Sequence, residues 1–465
     1  MKYTANKIAN PLKKGDKIEI AVSALDDDGC GVGVLESSQA RVKGALPGEK
    51  VLARITYVSQ HRVTAERIRI LEPSTQRRPS PCPHRKDCDG CPLIEMNYPA
   101  QLAWKDAHVA NHIRQHKPLQ NVPIQPAIAS PLQLQYRSSA KLVISGKFAN
   151  PQIGIYRRDS HEINDIDDCP LHHPLINRIV AVIKKGIIKG KIPIYNPKSE
   201  QGLLRYLIIR VAESENRAMV VLVTSKRSYN ELHHLSALIS KEVPEGKVVV
   251  QNVNATTGNV ILGNRNFFQT KQTSLQATVS GVKVNVSPAS FFQINTGSAG
   301  IIYNLVKEWS GLTKNSNVLD LYCGIGAISL FLAPLAGHIL GIEVVESAVD
   351  DATRNASLNR AANCEFVAGD VAEELRAVIS DGTRIDLVLL NPPRKGCDER
   401  VLRQVAETAT PKIIYVSCSP SSLGRDLVIL DSLGYSCTRV QPVDMFPQTT
   451  HVESVALLEK REISG

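Results

Sequence analysis

Residues 318–333 read VLDLYCGIGAISLFLA, and this stretch decides the fold. A short strand-like run enters a turn built on Gly324 and Gly326, and an apolar helical run leaves it. Glycine at these positions lets the backbone approach a ligand at a helix N-terminus. A pyrophosphate fingerprint wants a third glycine at 329, where Ser329 stands instead. Asp320, ahead of the turn, suits a cationic nucleoside better than a dinucleotide phosphate. Glu343, 17 residues beyond Gly326, and Asp370 end the next two strand-like runs, HILGIEV and CEFVAGD. A carboxylate at 343 can accept both hydroxyls of a ribose. The set Gly324, Gly326, Glu343 and Asp370 predicts S-adenosylmethionine as the ligand.

Around this stretch, strand-like and helical runs alternate from SNVLDLY (316–322) to KIIYVSC (412–418), the pattern of an open, doubly wound α/β sheet. Ahead of it, TGSAGIIYNLVKEWSGL (296–312) puts Ile301, Ile302, Leu305, Val306 and Trp309 on one helical face. LLNPPRKG (389–396) sets Asn391 at the carboxyl edge of the sheet, where ligands bind in such folds. Asn-Pro-Pro also occurs in methyltransferases of exocyclic amino groups, but those place an aromatic residue next, and here it is Arg394. IIYVSCSP (413–420) brings Cys418 to the end of the neighbouring strand, so Asn391 and Cys418 should share one cleft. YSCTRVQPVDMF and ESVALLEK then read as a hairpin, with Glu453 opening a strand beside the one that ends at Cys418.

The 465 residues are 43% hydrophobic and 22% charged, ordinary for a soluble globular protein and enough for several domains. No apolar run could cross a membrane and the N-terminus lacks the core of a signal peptide, so a cytoplasmic location is expected. The net charge of +10 is uneven: +3 over residues 1–73, +13 over 74–285 and −6 over 286–465. A basic middle beside an acidic C-terminal third points to a polyanion held away from the chemistry, with Tyr136, Arg137 and Lys141 as candidate contacts. Residues 15–73 alternate short runs with glycine-rich turns, as small OB-type barrels do, and EPSTQRRPSPCP (72–83) reads as a linker. The middle mixes strands with helices near 171–187 and 228–241. Three parts are therefore expected: 15–73, 74–285 and 286–465.

Ten cysteines are too few for a disulfide scaffold in a chain this long, leaving metal-bound, catalytic or plain thiols. Cys82, Cys88 and Cys91 follow a C-x5-C-x2-C spacing, and a distant Cys169-Pro follows. Structural zinc is usually held by paired C-x2-4-C hooks. Three close cysteines with one remote Cys-Pro suit an iron–sulfur cluster better, with zinc bound partly by His84 or His161 as the rival. Cys30, Cys323, Cys364, Cys397 and Cys437 read as ordinary thiols.

SFFQIN (290–295), LDLYCGIG (319–326), NPPRKG (391–396), YVSC (415–418) and HVES (451–454) occur in this order. In them the chain resembles the RNA uracil-5-methyltransferases, which act on 23S rRNA uridines or on the T-loop uridine of tRNA; residues 15–73 are similar to a TRAM domain. The resemblance implies a class I S-adenosylmethionine-dependent methyltransferase with an OB-like TRAM barrel and a cluster-bearing α+β central domain. It implies cofactor contacts from Gln293, Tyr322, Glu343 and Asn391, with Cys418 as nucleophile and Glu453 as base. Many members carry Asp at the position of Asn391. The resemblance also implies a [4Fe-4S] cluster on Cys82, Cys88, Cys91 and Cys169. RNA is the implied partner of a monomer: 23S rRNA first, because a TRAM domain with four cysteines is typical of that branch, and tRNA second.

The residue types suit that chemistry on their own terms. Carbon 5 of uracil is too weak a nucleophile until a thiolate adds to carbon 6, and a carboxylate must later remove the carbon-5 proton. An amino-group methyltransferase and a non-catalytic iron–sulfur RNA-binding protein are the rival readings; Arg394 argues against the first, and Cys418 with Glu453 against the second. Protein purified without oxygen should be brown and carry iron with acid-labile sulfide, and Cys82→Ser should lose colour and stability together. Stoichiometric zinc without iron would contradict the cluster.

Overall fold

The computed structural model describes residues 12–35, 38–59, 62–157, 160–258, 260–290 and 292–462. Phe291 of the SFFQIN motif lies outside them. The chain divides into two units. The smaller comprises Met1–Pro81, Asp89–Gln101 and Gln448–Thr450; the larger comprises Cys82–Cys88, Leu102–Pro447 and His451–Gly465.

In the smaller unit, β1 (Lys17–Ala21), β2 (Ala24–Leu25), β3 (Gly31–Leu35), β4 (Ser38–Lys43), β5 (Lys50–Val58) and β6 (Arg62–Glu72) form one sheet in the order β1-β5-β6-β4-β3-β2. Period-two alternation turns Ile18, Ile20, Val42, Val51, Ala53 and Val63 into its core. β3 needs its glycines, because a Cβ on Gly33 would lie 2.3 Å from the carbonyl oxygen of Ala21.

The larger unit is built on two seven-stranded sheets. After α1 (Tyr98–Arg114) come β7 (Ser139–Lys147), β8 (Asn150–Tyr156), β9 (Ile163–Asp165), α2 (Pro174–Gly190), β10 (Leu204–Ala212), β11 (Arg217–Thr224), α3 (Asn230–Glu242), β12 (Gly246–Val253) and β13 (Arg265–Phe268). These strands pair in the order β13-β12-β11-β10-β7-β8-β9. The amphipathic faces of α2 and α3 seal one side, packing Ile179, Ile183, Leu235 and Ile239 on Leu142, Leu207 and Val220. A hairpin of β14 (Leu275–Val279) and β15 (Val282–Val286) follows.

The second sheet begins after α4 (Thr296–Ser310). It contains β16 (Asn317–Leu321), α5 (Ala327–Leu332), β17 (His338–Glu343), α6 (Glu346–Asn359), β18 (Cys364–Ala368), α7 (Val371–Asp381), β19 (Leu387–Leu390), α8 (Glu399–Glu407), β20 (Lys412–Ser417), α9 (Pro420–Ser432), β21 (Tyr435–Val443) and β22 (Glu453–Lys460). Its order is β18-β17-β16-β19-β20-β22-β21, the first five strands parallel and β22 antiparallel to both neighbours. Strands such as LVLL of β19 are apolar throughout because helices cover both faces. The order reverses between β16 and β19, which opens a crevice at their carboxyl ends. One core spans both sheets, joining Ile208, Val221 and Val248 to Ile302, Ile414 and Val455. No helix among the described residues is long and apolar enough to cross a membrane.

Between β21 and β22 the chain is clamped before it reaches Glu453. Lys105 of α1 and Asp444 are both fully buried and meet at 2.5 Å. The same ammonium donates to the Phe446 carbonyl at 3.0 Å, and Asn295 donates to that of Met445 at 3.0 Å. Tyr136, expected as an RNA contact, is 1% exposed and donates its hydroxyl to the Pro447 carbonyl at 3.0 Å. It braces this loop instead, since a buried phenol must find an acceptor. Lys105→Ala strands the Asp444 carboxylate in the interior and should cost about 3–5 kcal/mol of stability. An unchanged melting temperature would contradict this assignment.

Candidate active site

The crevice at the strand reversal gathers the residues expected to hold the cofactor. Tyr322, which follows β16, adopts φ 65°, and Gly324 and Gly326 have φ 57° and 76°. Three left-handed residues fold the turn back on itself, and Gly326 then caps α5. Nothing lies within 4 Å of a Cβ built on Gly324, so that side of the turn is open for a ligand. A Cβ on Gly326 would instead strike the Phe366 ring at 2.7 Å. Glu343 ends β17 and accepts from the backbone of Gly324 at 3.1 Å and of Val345 at 3.0 Å, which aims its carboxylate along the turn. Asn391 donates its backbone N–H to the Leu321 carbonyl at 3.3 Å, placing its amide beside the same turn.

Two of the expected cofactor residues also have structural partners. Asp370 caps α7 by accepting from Ala372 and Glu373, and pairs with Arg400 at 3.3 Å. Ser138 donates its hydroxyl to the carbonyls of Gln293 and Ile294, fixing the backbone of the SFFQIN segment. Asn295 of that segment caps α4.

Cys418 and Glu453 meet at the end of the β20–β22 ladder. Ser417 is paired with Ser454, so the next position outward holds Cys418 on one strand and Glu453 on the other. Burial pushes the Cys418 thiol up, the charge of Glu453 pushes it further, and a hydrogen bond and charge from Arg394 pull it back. Burial raises the Glu453 carboxyl to about 7, against the opposing charge of Arg394. Arg394 reaches Nε2 of His451 at 3.5 Å. Partial burial and the cations Arg394, Arg137 and Lys105 push the His451 imidazole down, so it stays neutral. A thiol, a carboxyl that titrates near neutral pH and a guanidinium acting on both are thus brought together at one strand end.

Residues 205–461 match the family described as tRNA (Uracil-5-)-methyltransferase. The chain belongs to this family. It is 53% identical to an uncharacterized RNA methyltransferase of Geobacter sulfurreducens over 97% of this chain and 91% of that one. It is 35% identical to an RNA methyltransferase of Halalkalibacterium halodurans, over 97% and 98%. Its fold is similar to that of the Pyrococcus abyssi tRNA (uracil-54, C5)-methyltransferase in complex with S-adenosyl-L-homocysteine, with TM-score 0.74, 26% identity, and 95% of this chain and 100% of that one covered. The protein is an RNA uracil-5-methyltransferase with a class I methyltransferase fold.

Several residues of this uracil-5-methyltransferase escape a reading of its sequence. Arg394 counted there only against amino-group chemistry; its contact with Cys418 follows from β19 lying beside β20. Cys397, taken for a plain thiol, is buried, acts on the Tyr322 hydroxyl, and donates its backbone N–H to the Asp426 carboxylate at 2.8 Å. Of the four cysteines expected to hold a cluster, Cys82, Cys88 and Cys169 belong to the larger unit, where Cys88 acts electrostatically on Cys82 and Cys82 on Cys169; Cys91 belongs to the smaller.

The charges around Cys418 give two opposite expectations. At a pH below its thiol pKa, Glu453→Gln should speed alkylation of Cys418 by iodoacetamide, and Arg394→Gln should slow it, each by about 3- to 10-fold. Peptide mass spectrometry resolves Cys418 from the other thiols, and shifts of the same sign would contradict the arrangement. A role for Glu453 as proton acceptor predicts that release of the methylated base slows as pH falls through about 7, where its carboxyl becomes protonated.

Proposed function

We propose that this enzyme methylates carbon 5 of a uridine in 23S rRNA through a covalent bond to Cys418. The observation that carries this reading is the facing pair Cys418 and Glu453, with the charge of Arg394 acting on both. S-adenosylmethionine, bound in the crevice at Gly324, Glu343 and Asn391, supplies the methyl group. The open side of Gly324 and the carboxylate of Glu343 suit its amino-acid and ribose portions. Arg394 holds charge for the Cys418 thiolate, which adds to carbon 6 of a uracil turned out of its stack. The electron pair moves to carbon 5 and its enolate, and carbon 5 takes the methyl. Glu453 then accepts the carbon-5 proton, the carbon 5–carbon 6 double bond re-forms, and the thiolate leaves.

The choice of 23S rRNA rests on the reading of residues 15–73 as a TRAM domain and of Cys82, Cys88, Cys91 and Cys169 as [4Fe-4S] ligands. The mutual influence of the Cys82, Cys88 and Cys169 thiols supports the cluster, and Cys91 stands three residues beyond Cys88. Its role would be to brace the protein, since methyl transfer moves no electron. Residues 135–137 hydrogen-bond the Pro170 and Leu171 carbonyls beside Cys169, and Ser138 next to them holds the SFFQIN segment. The Pyrococcus abyssi neighbour, named for a tRNA uridine, favours the T-loop of tRNA as the second reading.

Mapping 5-methyluridine in cells lacking the gene separates the two. Loss at a 23S rRNA position with T-loop methylation intact is expected, restored by the wild-type gene and not by Cys418→Ala. Loss from the T-loop alone would select tRNA, and no loss in either RNA would overturn the proposal.

A further inference from the structure

The sheet containing β7–β13 has one face sealed by α2 and α3, so alternate residues of its strands point to the opposite face. Toward β11 and β12 that opposite face is apolar and buried: Met219, Val221, Val248 and Val250 join the core shared with the second sheet. Toward β7 and β8 its character changes. Lys141 on β7 is exposed, Tyr156 on β8 is 44% exposed, and Tyr206 on β10 is half-buried at the border of the shared core. The registers Tyr206↔Val143↔Gly154 and Ile208↔Lys141 put all three on this one face.

Two features distinguish this half-face from an ordinary solvated surface. The first is a pair of cations set side by side. Arg210, buried and donating to the Ser287 carbonyl at 2.6 Å, lies diagonally beside Lys141, and its charge acts against the Lys141 ammonium. Among the described residues no carboxylate is within ion-pair distance of Lys141. The charge of Asp351 acts on the buried Arg210, so the pair's unbalanced positive charge lies at Lys141 and favours an anion between it and solvent. The second is a pair of tyrosine rings on the same face. Tyr156 and Tyr206 share this face close enough for their hydroxyls to act on each other, and the Tyr156 ring meets His161 edge-on at 6.4 Å. Beneath them Arg205, itself held by the carbonyls of Asn254 and Thr256 at 2.6 Å each, sits 5.6 Å from the Tyr206 ring centre.

The face also starts at the active site. Ser138, the residue before β7, is bonded to Gln293 and Ile294, so Lys141 stands only about 10 Å of extended strand further on. We propose that this half-face is the track for single-stranded RNA flanking the target uridine, with a phosphate at Lys141 and Arg210 and a base stacked at Tyr156 and Tyr206. Rings take bases of any sequence, and paired cations take the backbone. The inference rests on RNA being the substrate and holds for rRNA or tRNA alike.

The test uses the full chain and its methylatable RNA. Lys141→Glu should weaken RNA binding about tenfold or more and flatten its salt dependence by about one phosphate contact. Tyr156→Ala should weaken binding about 5- to 100-fold. Lys189→Glu, the same charge change on the exposed end of α2 across the sheet, should alter it less than about twofold, and affinity for S-adenosylmethionine should be unchanged in all three. In the unmutated enzyme, RNA carrying 4-thiouridine beside the target should crosslink to the peptide spanning β7 and β8. Normal RNA affinity in both track variants, or crosslinks confined to α2 and α3, would overturn the track. Those outcomes leave the methylation reading intact, because the wild-type enzyme forming no 5-methyluridine is the separate result that would remove it.

Discussion

The pairing of β20 with β22 is the constraint on which the site depends. β20 is parallel to β19 on one side and antiparallel to β22 on the other. That single change of direction carries Glu453, at the start of β22, to the edge where Cys418 leaves β20. A slip of one residue would send the carboxylate to the other face of the sheet. Full burial of Ile413, Ile414, Val455 and Ala456 on both faces makes such a slip expensive, so the geometry of the pair is fixed by packing far larger than the site. The clamp of Lys105, Asn295 and Tyr136 on residues 444–447 holds the incoming chain to the same register.

Electrostatics then divides the labour between two acids in one pocket. Burial favours the neutral form of both the thiol and the carboxyl, and each anion disfavours the other. Arg394 relieves both, but it can balance only one full negative charge at a time. The site therefore suits a reaction in which negative charge passes from thiolate to enolate and is neutralised there by the incoming methyl. Charge then returns from the Glu453 carboxylate to the departing thiolate when the carbon-5 proton is taken. A neutral His451 beside Arg394 adds no further cation.

What the sequence discloses is set by distance along the chain. The glycine turn after β16, the strand ends at Glu343, Asn391 and Cys418, and the α4 stripe are local patterns, and the doubly wound fold follows from their alternation. β22 beside the strand of Cys418 was legible because the last two strand-like runs have no helix between them. Lys105 and Asp444, 339 positions apart, leave no such trace. α1 itself is hard to see, since Gln101, Lys105 and Asp106 interrupt its apolar stripe. Tyr136 looked like a surface aromatic in a basic region, and only the loop at Pro447 reveals why it is buried. The same limit hid Arg394: its partner lies on the next strand, and Cys397 likewise declares its role only once Tyr322 folds over it.

The central claim is that Cys418 bonds to the base and Glu453 acts only after the methyl has moved. Glu453→Gln keeps the shape and hydrogen bonding of the site but cannot take the carbon-5 proton. Incubating that variant with substrate RNA and S-adenosylmethionine, then weighing the denatured product by mass spectrometry, tests the claim most directly. The account predicts a protein–RNA adduct joined through Cys418 whose uracil already carries the new methyl group. Full turnover without an adduct, or an adduct on a different residue, would contradict it.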